Sequence, residues 1–174
     1  GKYAYAYDAA GNLVKKGNTF TISGETVSFV TSGDGVEYWE YEYDLLNRLT
    51  VVRKNGTVVA EYGYDPEGFR VVRKASGETT HYVFEGTEPI FEKNITAGKQ
   101  RSYVFALGKH LAWVDGVIGD PEAAVYYIHT DHLGSVRAVT DEAGAVVWSA
   151  EYLAFGTRFG ETGDGRFEQW KGFT

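Results

Sequence analysis

A strand of alternating aromatic residues followed by a turn that starts with aspartate recurs along the chain, and this pattern constrains the fold most. It occurs at residues 5–8, 41–44 and 62–65, and in a variant form at residues 126–137. A glycine or asparagine stands three residues after each aspartate. Aspartate accepts hydrogen bonds from a type I turn, and glycine or asparagine tolerates the left-handed conformation that follows. The sequence therefore predicts tandem antiparallel β-hairpins.

This turn motif combines an aromatic strand end, an aspartate and a residue that accepts positive φ. A further Asp-x-x-Gly turn is predicted at residues 141–144. The residues assigned to the motif are Tyr7, Asp8, Gly11, Tyr43, Asp44, Asn47, Tyr64, Asp65, Gly68, Asp131 and Gly134.

The segments between the turns show the period of two that is typical of β-strands. Trp39, Tyr41 and Tyr43 fall on one face, and the two intervening glutamates fall on the other. Aromatic residues make up 16% of the chain, which favours strands over helices. Asn55-Gly56 is the signature of a two-residue hairpin turn of type I′. These features predict an all-β fold.

The spacing of the aromatic strand ends indicates a repeat architecture. Tyr43, Tyr64, Phe84 and Phe105 are separated by 21, 20 and 21 residues, which is room for two strands and two turns. Residues 17–37 are less regular, and we interpret them as a shortened unit with strands at 19–23 and 26–30.

The second half of the chain carries three further expectations. Residues 116–123 are predicted to form an inserted loop, and residues 145–155 a strand with Trp148, Ala150, Tyr152 and Ala154 on one face. The Gly-rich tail from about residue 157 is expected to be poorly anchored.

Composition excludes several classes of function. The formal net charge is -7 and the cations are scattered, so the chain lacks the basic stripe of a nucleic-acid-binding protein. No apolar run is long enough to span a membrane. Cysteine is absent, which excludes disulfides and thiol chemistry. No signal peptide is visible, and because the sequence begins at Gly1 and contains no methionine, we expect it to be part of a longer protein.

Two parts of the sequence resemble the RHS family. The Tyr-Asp pairs at residues 7–8, 43–44 and 64–65 resemble its YD repeats, and residues 127–156 resemble its repeat-associated core. On this resemblance, residues 1–84 are YD-repeat hairpins and residues 85–174 are core-like hairpins of one continuous β array. The core signature consists of His129, Asp131, His132, Gly134, Arg137, Trp148, Tyr152 and Gly156.

The resemblance implies a curved, twisted ribbon of antiparallel hairpins that forms a segment of a hollow shell. In bacterial RHS proteins and insecticidal toxin complexes such a shell encloses a C-terminal toxin, and in teneurin-like proteins it serves as an adhesion scaffold. It implies a secreted or cell-surface location, with the remainder of the parent polypeptide and its C-terminal cargo as partners. We expect no catalysis and no cofactor. Unpaired strand edges also predict self-association.

Some RHS proteins contain an aspartyl autoprotease with Asp-Pro-x-Gly motifs that release the cargo. Residues 65–68 match that motif, but aspartate, proline and glycine each have a structural reason to occupy a turn there. Asp120-Pro121 lacks the following glycine. The chain stops at Thr174, where the family usually continues into the cleavage motif, so an autoprotease remains an alternative that needs residues this chain lacks.

Three further groups of residues could have either a chemical or a structural role. His129, His132 and Asp131 could bind a metal. However, Asp131 holds a turn position, and the sequence shows no other residue as the third ligand beside the two histidines. Ser135 lies next to these residues in sequence, but neighbours on a strand point to opposite faces and no nucleophile elbow is present. The aromatic rows could bind carbohydrate as part of an adhesion module, with Trp39 and Trp113 as the test positions, but cross-strand packing is favoured because the rings recur at the repeat period.

Overall fold

The computed structural model describes residues 2–119, 121–153 and 156–163. All regular elements within these ranges are β-strands, and the described residues include no helix of the length and hydropathy needed to span a bilayer. The strands are β1 (Ala4–Tyr7), β2 (Leu13–Gly17), β3 (Phe20–Ser23), β4 (Thr26–Phe29), β5 (Tyr38–Tyr43), β6 (Leu49–Lys54), β7 (Thr57–Tyr64), β8 (Arg70–Ala75), β9 (Glu78–Glu85), β10 (Glu88–Asn94), β11 (Lys99–Ala106), β12 (Lys109–Val117), β13 (Ala123–Thr130), β14 (Val136–Thr140), β15 (Val146–Tyr152) and β16 (Arg158–Gly163).

Two compact units divide the chain, residues 1–81 and residues 82–174. In the first unit the strands lie in the order β1-β2-β5-β6-β7-β8, β9 begins in this unit and ends in the second, and β3 and β4 pair as a separate two-stranded sheet. In the second unit β10 to β16 follow one another in chain order. The strand pairs of the described residues are antiparallel, which confirms the predicted all-β fold of tandem hairpins.

Turn chemistry fixes the register of these hairpins. Asn55 and Gly56 have φ values of 48° and 80°, as the predicted type I′ turn requires. Before the turns that begin with Asp44 and Asp65, the ladder shifts register by one residue, between residues 42 and 43 and between residues 63 and 64. This is the bulge that accompanies a type I turn followed by a left-handed residue. The bulge sets where each tyrosine points as its strand enters the turn.

The first unit is held together by a small apolar centre and one close approach. Tyr38, Val52 and Ala60 are buried. The β3–β4 hairpin packs through Phe29, whose ring lies 5.7 Å from that of Tyr38. A Cβ on Gly17 would meet Phe29 Cδ1 at 2.8 Å, so only glycine leaves room for this contact. The irregular segment is therefore a hairpin set apart from the main sheet, with strand bounds close to those predicted.

The second unit has a larger apolar core built from one face of β12 to β15. The buried residues of this core are Trp113, Ile128, Val136, Val139, Trp148 and Ala150. Tyr103, Tyr126, Val147 and Tyr152 pack against it. Val139 pairs with Ile128 on one side and with Trp148 on the other, so these three side chains form a continuous cross-strand row.

Three expectations about the second half need correction. The predicted loop at 116–123 is shorter, because β12 continues to Val117 and β13 begins at Ala123. The strand predicted at 145–155 runs from Val146 to Tyr152, and Ala154 lies outside the described residues. Residues 158–163 are not a loose tail, because they pair with β15 as β16. Residues 164–174 lie outside the described residues.

Candidate functional site

The Asp44 turn shows how the repeated motif is built. The Asp44 amide donates to the Arg48 carbonyl at 3.0 Å, and the Asn47 amide donates to the Asp44 carbonyl at 3.0 Å. One carboxylate oxygen, Oδ1, accepts from the amides of Leu46 and Arg48, both at 2.9 Å. Asn47 adopts a φ of 59°. The side chain thus satisfies turn amides that the strand ladder leaves without a partner.

The same geometry recurs at the other aspartates. The amide four residues after the aspartate donates to its Oδ1 in each of these turns: Asn12 to Asp8 at 2.8 Å, Phe69 to Asp65 at 2.8 Å, Ser135 to Asp131 at 3.0 Å, and Ala145 to Asp141 at 2.9 Å. Gly11, Gly68 and Gly134, the fourth residues of their turns, all have positive φ. These turns therefore share one backbone geometry.

Hydrogen bonds to the ionised carboxylates lower the pKa of three turn aspartates. At Asp8 the main cause is the Asn12 side chain, and at Asp44 it is the Arg48 amide. Burial acts in the opposite direction at Asp131, but the amides of Ser135 and Leu133 still bring the pKa of its carboxyl below the ordinary value. These groups are held as anions by backbone amides, which is the electrostatics of a structural turn.

The tyrosines of the motifs at Asp44 and Asp65 each bond to the hairpin before their own. The hydroxyl of Tyr43 donates to the Leu13 carbonyl at 2.9 Å, and that of Tyr64 donates to the Leu49 carbonyl at 2.8 Å. Both acceptors lie five residues after the aspartate of the preceding turn at the same end of the hairpins. Tyrosine and aspartate therefore have separate tasks: the aspartate closes its own turn, and the tyrosine joins that hairpin to its predecessor.

Polar side chains reinforce the link between successive turns. Asn12 Nδ2 donates to Asn47 Oδ1 at 2.9 Å, which connects the first turn to the second. Arg48 pairs with Asp44 at 2.7 Å and donates from Nη1 to the Asp65 carbonyl at 3.0 Å. Its guanidinium carbon also lies 4.8 Å from the centre of the Tyr64 ring. Sequence reasoning missed Asn12 and Arg48, although both stand four residues after a motif aspartate.

Other aromatic residues at the motif position differ from Tyr43 and Tyr64. Tyr7 is 62% exposed. Phe84 and Phe105 take the tyrosine position in the later repeats and carry no hydroxyl. The cross-hairpin tyrosine bonds described here thus belong to the first unit.

Some residues of the core signature in the second unit form a turn, and others are exposed to solvent. Asp131 and Gly134 form the turn, whereas His129 and His132 are exposed. His129 Nε2 lies 2.9 Å from Thr140 Oγ1. Within the described ranges, no three side chains of metal-ligating type are grouped to hold an ion.

Trp148, Arg137 and Tyr152 anchor the last strands. The indole nitrogen of Trp148 donates to Glu161 Oε1 at 2.6 Å, and Arg158 Nη1 lies 2.9 Å from the same oxygen. The bond from Trp148 is the main reason that the pKa of Glu161 is lowered. The Arg137 guanidinium carbon lies 5.6 Å from the centre of the Tyr152 ring.

The same end of the sheet carries a turn without aspartate. The Gly156 amide donates to the Leu153 carbonyl at 2.9 Å, and Gly156 has a φ of 81°. The backbone of the motif is thus retained where leucine replaces the aspartate. Glu161, which the sequence did not single out, is the acidic partner that fixes β16 to Trp148.

Ser135 is buried, and Asp65 closes its own turn. Ser135 is 0% exposed, and its hydroxyl has no hydrogen-bond partner among the described residues, so it is not an accessible nucleophile. Asp65 accepts from its own turn through both its carbonyl and its side chain, as the structural interpretation of residues 65–68 requires. Asp120 lies outside the described residues.

Sequence comparison finds similarity to RHS proteins. The family model described as "RHS protein" matches residues 125–161. The chain is 27% identical over 197 residues to double-stranded DNA deaminase toxin A of Burkholderia cenocepacia, covering 87% of this chain and 14% of that protein. It is 25% identical over 177 residues to the tRNA3(Ser)-specific nuclease WapA of Bacillus spizizenii, covering 87% of this chain and 7% of the nuclease. The chain thus spans a small fraction of these relatives.

Solved structures show the same fold at lower identity. A crystal structure of TcdB2-TccC3-TEV superposes with a TM-score of 0.57 and 10% identity, over 91% of this chain and 9% of that one. A crystal structure of TcdB2-TccC3 gives a TM-score of 0.50 and 17% identity, over 92% of this chain and 10% of that one. The match at residues 125–161 and the toxin relatives show that the chain is similar to RHS proteins, and the solved structures share its hairpin fold.

Proposed function

We propose that this chain is a structural segment of the wall of an RHS shell that encloses a toxin or effector, and that it performs no catalysis of its own. The observation that carries the proposal is the tyrosine bond between successive hairpins, from Tyr43 to Leu13 and from Tyr64 to Leu49. These bonds add to the strand ladder at the turn end of the hairpins. A wall requires this kind of lateral continuity.

The chemistry of the described residues supports a wall rather than an active site. The carboxylates of Asp44 and Asp131 accept hydrogen bonds from the amides of their own turns, and Ser135, the serine beside the histidines, is buried. The catalytic activities in the relatives' names belong to proteins at least seven times longer than the part that this chain matches, since it covers 14% of the first and less of the second. We therefore assign those activities to other segments of such proteins.

A carbohydrate-binding or adhesion surface built on the tryptophans is less well supported. Trp113 is 0% exposed, so its ring packs in the core and does not face a ligand. The ring of Trp39 is covered by the Lys54 ammonium, which lies 5.0 Å from the ring centre. Both test positions that the sequence suggested therefore have packing partners within the protein.

A shell role also implies partners and a location. The partners are the remainder of the parent polypeptide and the cargo at its C-terminal side, and the location is outside the cell or at its surface. Both follow from the proposal, because a container for a toxin acts where the toxin is delivered.

Limited proteolysis of the longer polypeptide that carries this segment tests the proposal. We expect the cargo to resist protease in the wild type and to become cleavable when Trp148→Asp places a charge in the core of the second unit. Glu25→Lys, at an exposed turn of the β3–β4 hairpin, is the matched control and should leave the cargo protected. Equal cleavage of the cargo in the wild type and in Trp148→Asp contradicts an enclosing role.

A further inference from the structure

Strand β1 is the outermost strand at one side of the sheet in the first unit. Among the described residues it pairs with β2 alone, so its other side has no neighbouring strand there. Two tyrosines on this strand, Tyr5 and Tyr7, are 48% and 62% exposed. Tyr7 directly precedes the motif aspartate Asp8, but its hydroxyl makes no hydrogen bond within the described ranges. The open side of β1 therefore carries a motif tyrosine without the contact that Tyr43 and Tyr64 make.

The two later motifs show what a tyrosine in this position contacts. The hydroxyl of Tyr43 donates to the Leu13 carbonyl, and the hydroxyl of Tyr64 donates to the Leu49 carbonyl. Each leucine stands five residues after the aspartate of the preceding turn, on the strand that leaves that turn. That strand pairs with the strand that carries the tyrosine, β2 with β5 and β6 with β7. One interface between hairpins is thus built twice in the same way.

The second of these interfaces also uses the carbonyl of the motif aspartate. Arg48, which belongs to the preceding turn, donates from Nη1 to the Asp65 carbonyl at 3.0 Å. Its guanidinium carbon lies 4.8 Å from the centre of the Tyr64 ring. In the first motif the Asp8 carbonyl accepts from the Gly11 amide at 3.1 Å, and a carbonyl oxygen has a second lone pair. The first motif can therefore accept the same arginine contact.

We propose that the open side of β1 is the docking surface for one further hairpin of this kind, supplied by another part of the parent polypeptide. The proposal rests on the shell function above and specifies the partner: an Asp-x-x-Gly or Asp-x-x-Asn turn whose outgoing strand pairs with β1. The carbonyl five residues after that aspartate accepts from the Tyr7 hydroxyl. An arginine four residues after it donates to the Asp8 carbonyl, as Arg48 does to Asp65. Strand pairing supplies the ladder bonds that an edge strand lacks.

The chain itself contains a hairpin with which this surface can be tested. Asp44 precedes Tyr64 by 20 residues. A second copy of residues 38–57, placed directly before Gly1, puts its aspartate at the same distance before Tyr7. The copy also brings the arginine and the leucine carbonyl of the Tyr64 contact, and its Asn-Gly turn joins it to β1. We call this protein the extended chain.

Hydrogen exchange measured by NMR compares the extended chain with the chain that lacks the copy. The β1 amides that point away from β2 should exchange at least about tenfold more slowly in the extended chain, because they gain ladder partners. An extension with the same residues in scrambled order is the control and should leave those rates unchanged. Tyr7→Phe should speed their exchange about fivefold in the extended chain, because one hydrogen bond to the added hairpin is lost. The same substitution should have no such effect without the copy.

Two results would overturn the proposal. Unchanged exchange of these amides in the extended chain means that β1 does not receive a hairpin. Slower exchange that the scrambled extension reproduces, or that Tyr7→Phe leaves intact, means that β1 pairs without recognising the motif. Neither result bears on enclosure of a cargo, which proteolysis of the longer polypeptide measures separately, so the docking surface and the shell function can fail independently.

Discussion

The hydroxyl of Tyr64 lies 2.8 Å from the carbonyl oxygen of Leu49, which belongs to the strand leaving the preceding Asp44 turn. The Tyr-Asp pair therefore encodes two contacts at once, one within a hairpin and one between hairpins. A pair that only closed its own turn would not require tyrosine at this position, because any strand-forming residue would serve.

Tyr64→Phe is expected to lower the free energy of unfolding of the first unit by about 1 kcal/mol, because it removes one hydrogen bond and leaves the Leu49 carbonyl without that donor. Tyr7→Phe is the matched control and should change stability little, since the Tyr7 side chain is largely exposed at the start of the row. Urea unfolding followed by circular dichroism measures both. Equal losses in the two variants would show that the hydroxyl contact is unimportant.

Acid should weaken the Asp44 turn. The pKa of the folded carboxyl is lowered, chiefly by the Arg48 amide, so the folded value lies below the unfolded value of about 3.9. The stabilisation is complete above the unfolded pKa and disappears as pH falls through the folded pKa. Urea midpoints between pH 7 and pH 2 should converge for wild type and Asp44→Asn as pH drops below about 4.

Asp34→Asn removes the same charge from an exposed loop, and it serves as the control for this pH series. Its urea midpoint should follow the wild type at every pH. A constant gap between wild type and Asp44→Asn across the whole range would mean that the ionised carboxylate is not what stabilises the turn.

Ser135→Ala should be neutral or should stabilise the second unit by up to about 1 kcal/mol. The hydroxyl is buried and has no hydrogen-bond partner among the described residues, so its removal ends a desolvation penalty. Ser149 is the matched serine, because its Oγ lies 2.7 Å from Thr162 Oγ1. Ser149→Ala should destabilise by roughly 0.5 kcal/mol. Thermal unfolding compares the two, and a clear loss in Ser135→Ala would reveal a partner for the hydroxyl.

Leu107→Gly should raise the free energy of unfolding by about 1 kcal/mol at micromolar concentration, because glycine accepts a φ of 53° without steric conflict. Leu133→Gly makes the same change in composition at an exposed turn position without positive φ, and it should not stabilise. The difference between the two melting temperatures is the measurement. No gain in Leu107→Gly would show that leucine is not strained there.

Turn chemistry made much of the fold predictable. Aspartate followed three residues later by Gly11, Asn47 or Gly68 is a local signal, and local backbone sterics decide it. The Leu107-Gly108 turn escaped notice because leucine rarely adopts positive φ. The separate pairing of β3 and β4 was also hidden, since it depends on the room that Gly17 leaves for Phe29.

The contacts between hairpins could not be predicted from the sequence. Tyr43 and Tyr64 were identified, yet their acceptors lie 30 and 15 residues earlier in the chain. Which carbonyl each tyrosine reaches depends on how far successive hairpins are shifted along one another. The sequence period does not specify that shift. The same holds for Trp148, whose indole partner Glu161 lies on the neighbouring strand and in no recognisable motif.

The pairing of successive strands in chain order has a consequence for biosynthesis. Each strand after the β3–β4 hairpin finds a partner among residues that have already left the ribosome, and the loops to be closed are short. Folding can therefore proceed from the N-terminal side while translation continues, without waiting for distant segments. A very long polypeptide of this kind would keep only its newest strand exposed to aggregation at any moment.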